Sequence, residues 1–351
     1  MCQRVSGDLT IALDAMGGDK APAIVVRGAN IARQRHPEVR FLLVGREGEI
    51  RPHLDRLAKL AAVTTVVHTD DKVDSDTKPS VALRSGRRSS MRLAIEAVRE
   101  GRAAAVVSAG NTGALMAMSK LVLRTMPGID RPAIGSFFPT HRGESVMLDL
   151  GANLQCDARN LVDFSIMGRA FARAVLGLTH PTHALLNVGS EEIKGHEFLQ
   201  EARGRLAALD PEHFKGFVEG DDLSKGTVDV VVTDGFTGNV ALKTAEGTAK
   251  LIGEFLNRTF RSSLFASLGY LLARQAMQKL RKRLDPRRYN GAVFLGLNGI
   301  VVKSHGGTDA LGFAHAVSVA VDMVKYGVIE SIAKDCAAAT EQAIPARAVA
   351  G

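Results

Sequence analysis

Short apolar runs alternate along this chain with longer amphipathic stretches, and most of the runs close on a polar, glycine-bearing loop. The runs at Leu9 to Leu13, Val39 to Val44, Val63 to His68, Ala104 to Val107, Ser145 to Leu150, His183 to Val188, Phe214 to Val218 and Val228 to Val232 are compact and rich in β-branched residues, which reads as strand. Helical periodicity covers Ile24 to Arg35, Ile50 to Leu60, Met91 to Glu100, Asn160 to Leu176, Phe198 to Ala208, Val240 towards Phe260, Ser262 to Leu284 and Thr308 to Tyr326. Pro22 suits a helix start, Ser89 or Ser90 a cap, and Gly101 and Gly177 helix ends. Gly291 to Val302 adds a strand or a strand pair. Strands alternating with helices predict an α/β fold on an open sheet. The pattern lapses from Asp70 to Ser90, a polar stretch that reads as a binding loop or as a mobile insertion. Residues 1–8 and 336–351 read as loose tails around one domain spanning 9–335.

The chain is organised around Val228 to Lys243, VDVVVTDGFTGNVALK, which reads as strand, tight glycine loop and helix. Such a loop can aim backbone N–H groups and a helix N-terminus at an anion, or its glycines can simply make the turn. A second stretch, Ser108-Ala-Gly-Asn-Thr-Gly113, matches Thr233-Asp-Gly-Phe-Thr-Gly238 when aligned on the glycines. Similar loops stand at Asp14 to Asp19, Asp149 to Asn153, Asn187 to Glu191 and His305 to Asp309. Ligands in open α/β sheets sit beyond the carboxyl ends of the strands, so six such loops predict one cleft for phosphate or carboxylate.

Composition changes this picture in one place. Nine of the 45 basic residues, but only one of the 37 acidic ones, fall between Arg258 and Arg288, so the remaining 36 of each sign balance and the net charge of +8 is local. Within that segment Leu264, Leu268 and Leu272 recur every four residues beside Arg274, Lys279, Arg281 and Lys282. A basic amphipathic helix can lie on an anionic membrane, dock an acidic protein or pack a dimer. With 245–260 it forms a helical arm over 245–290. Three scattered cysteines suit a reducing cytosol, no signal peptide or bilayer-spanning run is evident, and the absence of Trp argues against nucleic-acid stacking.

The chemistry is narrowed by what the motifs lack. There is no nucleophile elbow, no ligand-spaced metal cluster and no GxGxxG, so neither metal nor cofactor is expected. A cleft of backbone donors, hydroxyls and amides suits a reaction whose substrate brings its own nucleophile, such as phosphate attacking an acyl carbon. Asn111, Thr112, Thr237 and Asn239 are the candidate orienting donors. Gly17, Gly18, Asp19, Lys20, Ser108, Gly110, Gly113, Asp234, Gly235, Gly238 and His305 are the candidate phosphate contacts.

The motifs LDAMGGDKAP, SAGNTGALMA, GIDRPAIG, LDLGAN, LLNVGSEEIKG, VVVTDGFTGNVALKTAEGT and KSHGGTDA, running in order from about Leu9 to about Val328, resemble the bacterial phosphate acyltransferases of phospholipid synthesis. The resemblance implies transfer of a fatty acyl group from acyl carrier protein to inorganic phosphate. The acyl phosphate would feed a membrane glycerol-3-phosphate acyltransferase. It also implies a homodimer at the inner face of the cytoplasmic membrane. The implied fold is a three-layer α/β/α sandwich with a mostly parallel sheet, similar to isopropylmalate and isocitrate dehydrogenases. The family usually has His where this chain has Lys20, and a lysine acts as a neutral base near pH 7 only after a large pKa shift. Two other readings remain: a coenzyme A-dependent phosphotransacylase, and a non-catalytic membrane-docked scaffold, which would have no need of an anion cleft.

Overall fold

The computed structural model describes residues 9–283, 287 and 290–348; the side chains of 281–283 and 339–348 lie outside that part, with those of the predicted contacts Arg281 and Lys282 among them. One sheet of eleven strands carries the chain: β1 (Thr10–Asp14), β2 (Arg40–Gly45), β3 (Thr64–His68), β4 (Ala105–Ser108), β5 (Ala133–Thr140), β6 (Gly143–Leu148), β7 (His183–Leu186), β8 (Phe214–Val218), β9 (Val230–Val232), β10 (Ala292–Leu295) and β11 (Ile300–Lys303). Their order is β3-β2-β1-β4-β11-β10-β5-β6-β9-β7-β8.

The sheet is buried on both faces because its strands are apolar on both. Ile11, Leu13, Phe41, Leu43, Ala105, Val107, Val230 and Val232 point to one core, and the residues between them, Ala12, Leu42, Val106 and Val231, to the other. The first core is covered by α1 (Ala23–Arg35), α2 (Glu47–Leu54), α7 (Ala158–Leu176), α8 (Glu197–Leu209), α12 (Ala310–Lys325) and α13 (Val328–Ala348). The second is covered by α4 (Pro79–Ser85), α5 (Ser90–Arg99), α6 (Thr112–Leu123), α9 (Asp222–Lys225) and part of α10 (Gly235–Phe260). The result is the expected three-layer sandwich. The remaining helices are the short α3 (Ala58–Ala61) and α11 (Leu264–Arg283).

Three expectations change. The helix over Ile50 to Leu60 is two pieces, α2, which continues past Pro52 to Leu54, and α3, separated where Leu57 leaves the helical conformation. The patternless stretch after Asp70 contains α4, started by Pro79 at its first position. The tail expected to be loose from 336 continues as helix to Ala348, docked through the buried Cys336 and an ion pair from Asp335 to Arg173.

The strand directions matter most for function. β1, β2, β3, β4 and β11 are mutually parallel, and so are β6, β7, β8 and β9. Between the two blocks, β10 is antiparallel to β11 and to β5, and β5 is antiparallel to β6. Three reversals leave the blocks pointing in opposite directions. Their carboxyl ends, and the loops that follow them, therefore lie at opposite edges of the sheet.

Candidate active site

At the edge where the first block ends, the loops after β1, β4 and β11 meet. Asp14, buried at the end of β1, accepts hydrogen bonds from the Ser90 and Ser108 hydroxyls, both at 2.6 Å, and from Met16 N at 3.3 Å. Burial pushes its carboxyl above the usual range, against those donors. Gly17 lies so close that a Cβ there would sit 2.6 Å from Asp14 Oδ2 and 2.7 Å from Gly110 N. Asp19 N donates to Gly306 O at 3.1 Å, which ties the first loop to the last. Gly17, Gly18, Asp19, Ser108, Gly110 and His305 are thus brought together. Lys20 is exposed at the same loop.

Asn111 has another task. Its Oδ1 caps α6 by accepting from Ala114 N at 2.9 Å, and its Nδ2 donates to the carbonyls of Ser75 and Thr77 at 2.8 and 3.0 Å. That side chain anchors the polar stretch after Asp70 over the site. Thr112 and Gly113 follow as the exposed first turn of α6, with Gly113 against Pro79.

At the other edge, Asp234 caps α10, accepting from Thr237 N at 2.9 Å and from Thr237 Oγ1 at 2.7 Å. Gly235, Gly238 and Asn239 are therefore helical residues, not a loop. A Cβ on Gly238 would lie 1.9 Å from Asp149 O, and one on Gly235 would lie 2.7 Å from Asn153 O. These glycines let α10 pack against the loop after β6. That loop is wound around buried Asp149, which accepts from Ile134 N, Gly151 N, Ala152 N, Asn153 N and Asn153 Nδ2. Asn239 Nδ2 donates to Leu150 O at 3.1 Å, so its amide too serves this packing. The glycine alignment of the two loops matches different helix positions, since the caps are Asn111 in one and Asp234 in the other. The single cleft lined by six equivalent loops is corrected to two separate clusters, for the strand-direction reason given above.

Helix α10 joins them. Two turns beyond Thr237, the charge of Lys243 acts on both Lys303, at the end of β11, and His305, in the loop after it. Burial, reinforced by Lys243 and opposed by Asp14 and Asp19, pushes the Lys303 ammonium down to about 8. Its Nζ donates to Ser304 O. His305 is held below its ordinary range by burial first, then by Lys243 and Lys303, so it is neutral near pH 7. Its Nδ1 accepts from Gly307 N at 3.2 Å, which leaves the proton on Nε2. Its backbone N donates to Asn290 Oδ1 at 2.9 Å. Lys303 was missed in the sequence, although a lysine closing the apolar run Ile300 to Val302 was the signal for it. The arrangement gathers cations and N–H donors beside a buried carboxylate, which suits an anion held against a reacting centre.

Residues 9–331 match the family described as "Fatty acid synthesis protein". A protein of Rhodospirillum centenum called phosphate acyltransferase is 68% identical over 328 residues, covering 93% of this chain and 92% of that one. The chain belongs to this family. The phosphate acyltransferase of Rhodospirillum rubrum is 62% identical, over 95% and 96% of the two chains. A phosphotransacetylase from Streptococcus pyogenes has the same fold at 18% identity, with a TM-score of 0.62 over 92% of this chain and 94% of its own. Family membership and fold thus agree with the α/β enzyme expected from the motifs.

Proposed function

We propose that the protein transfers a fatty acyl group from acyl carrier protein to inorganic phosphate. The observation that carries this is the meeting of Lys303, Lys243 and His305 where the loops after β1, β4 and β11 converge. Phosphate held there supplies its own anionic oxygen, so no protein base is required. That oxygen attacks the thioester carbonyl carbon. The C–O bond forms, the tetrahedral oxyanion is held by fixed donors, the C–S bond breaks and the carrier thiolate takes a proton from water. Lys303 and Lys243 balance the phosphate charge, and His305 Nε2–H and the Thr112 hydroxyl orient its oxygens. Asn111 acts by positioning the loop over the site, and Asp234, Thr237 and Asn239 by fixing α10. Homology at 68% identity to a protein called phosphate acyltransferase supports the same reading.

Helix α11 and the end of α10 form the arm. Leu264, Phe265 and Leu272 are more than four-fifths exposed, beside the exposed cations Arg274 and Lys279. Among the described residues no helix is long and apolar enough to cross a membrane. We place this arm against an anionic membrane surface, with the acidic carrier protein and a second copy of the chain as its other partners. The acyl phosphate then passes to a membrane glycerol-3-phosphate acyltransferase.

The test is thiol release from long-chain acyl carrier protein with and without phosphate. Phosphate-dependent release with a hydroxylamine-trappable product is expected. Release without phosphate would make the protein a thioesterase, and reaction only with acyl-coenzyme A would replace the donor.

A further inference from the structure

Beside the first turns of α10 lies a cavity of about 590 Å³, within the roughly 300–1,000 Å³ of small-molecule sites. Leu186 and Val188 at the end of β7, Leu199 of α8, Leu223 of α9, and Phe236 and Val240 of α10 form its walls. Polar groups gather where Asp234 and Thr237 begin the helix. Asn187 Nδ2 donates to Lys194 O at 3.0 Å and so folds the loop between them back towards the rim. Phosphate transfer as described above uses none of these walls.

Helix α10 gives the cavity a direction. Thr237, Val240 and Lys243 follow one another at three-residue spacing along one ridge of the helix, each beside the next, while the first and last stand about 120° apart round the axis. Lys243 lies about 9 Å along the axis from Thr237. A chain that leaves the cavity past Val240 thus arrives at Lys243 and Lys303. Apolar walls reward methylenes and give a polar carrier little to bind. We propose that this cavity holds the fatty acyl chain of the donor, with Val240 at the mouth that every chain must pass and the thioester carbon delivered to the Lys243–Lys303 end. This rests on the acyl-transfer reading above.

The experiment compares wild type with Val240→Phe and Ala241→Met, using acyl-carrier-protein donors from octanoyl to stearoyl. Val240 is half exposed and Ala241 is partly buried against the second core, and circular dichroism checks the fold. Wild-type kcat/KM should rise about fourfold per methylene until the cavity fills, the ~0.8 kcal/mol of a buried CH2 converted at 1.36 kcal/mol per decade. The larger side chains narrow that mouth, so they should lower octanoyl and stearoyl transfer alike, by about tenfold or more, with KM for phosphate unchanged. Unchanged transfer of every donor in both variants overturns the assignment while the reaction stands. Binding of a fluorescent polyene fatty acid, read without phosphate, is the second measurement. It should weaken at least about fivefold in Val240→Phe, and equal binding overturns the cavity. Fatty-acid binding that is sensitive to Val240→Phe, in a protein that makes no acyl phosphate, supports the cavity and removes the reaction.

Discussion

A half-buried lysine at the end of β11 works against the fold that holds it. Lys303 titrates at about 8, so from there up to the ordinary lysine value the unfolded chain binds the extra proton and stability rises with pH. At pH 7 the charge is carried at a cost of roughly 3 kcal/mol. Lys303→Met should therefore raise the Tm by a few degrees while raising KM for phosphate about tenfold or more. In the wild type, KM for phosphate should climb as pH rises through 8, and the variant should lack that limb; initial rates across pH and calorimetry check both. A second residue resembles catalytic machinery without being part of it. Ser165 Oγ lies 2.5 Å from His183 Nδ1, and His183 Nε2 lies 3.1 Å from Asp210 Oδ2, but Ser165 is fully buried and no substrate reaches it. The trio ties α7 to β7 and to the turn before β8. Burial and Arg169 push His183 down to about 4. Because its pKa in the fold is below the unfolded value, stability is lost as pH falls from about 6.5 to about 4. Urea midpoints should fall across that window, and His183→Gln should flatten the slope.

Among the elements, α10 shows how a sequence can be read correctly for shape and wrongly for role. Its glycines were legible as a place where a strand passes into a helix. That Gly238 answers to the carbonyl of Asp149, 89 positions earlier in the chain, was not legible, because that contact exists only once β6 and β9 are neighbours. Gly238→Ala should cost more than about 4 kcal/mol or displace the helix, measurable as loss of soluble protein or of the cooperative melt. Asn111 and Asn239 were likewise legible as polar groups at helix starts, while their carbonyl partners, Ser75, Thr77 and Leu150, come from distant loops. Strand identity was legible through β-branched runs and helix faces through their period. Strand direction was not, since a run of valines is the same in either sense. Lys303 escaped notice because its character is set by burial among Asp14, Asp19 and Lys243, which only the assembled sheet provides.

At the scale of the molecule, the arm and the site are parts of one assembly. Neutralising Arg274 and Lys279 by substitution with Gln should weaken binding to anionic vesicles about fivefold per residue at low salt, with ~1 kcal/mol for each cation, and leave turnover of soluble donor in place. Vesicle flotation across a salt series reads this, and salt-independent binding would leave the arm to packing between subunits. Helix α10 runs unbroken for 26 residues, about 39 Å. Its start is clamped between the Asp149 loop and the acyl cavity, Lys243 stands a few turns along, and its far end reaches the arm. Its anchor is the Gly238–Asp149 contact, and Lys243 stands on the free side of that anchor, between it and the arm. A load on the far end, whether lipid, carrier or second subunit, therefore acts through Lys243 and on its distance from Lys303.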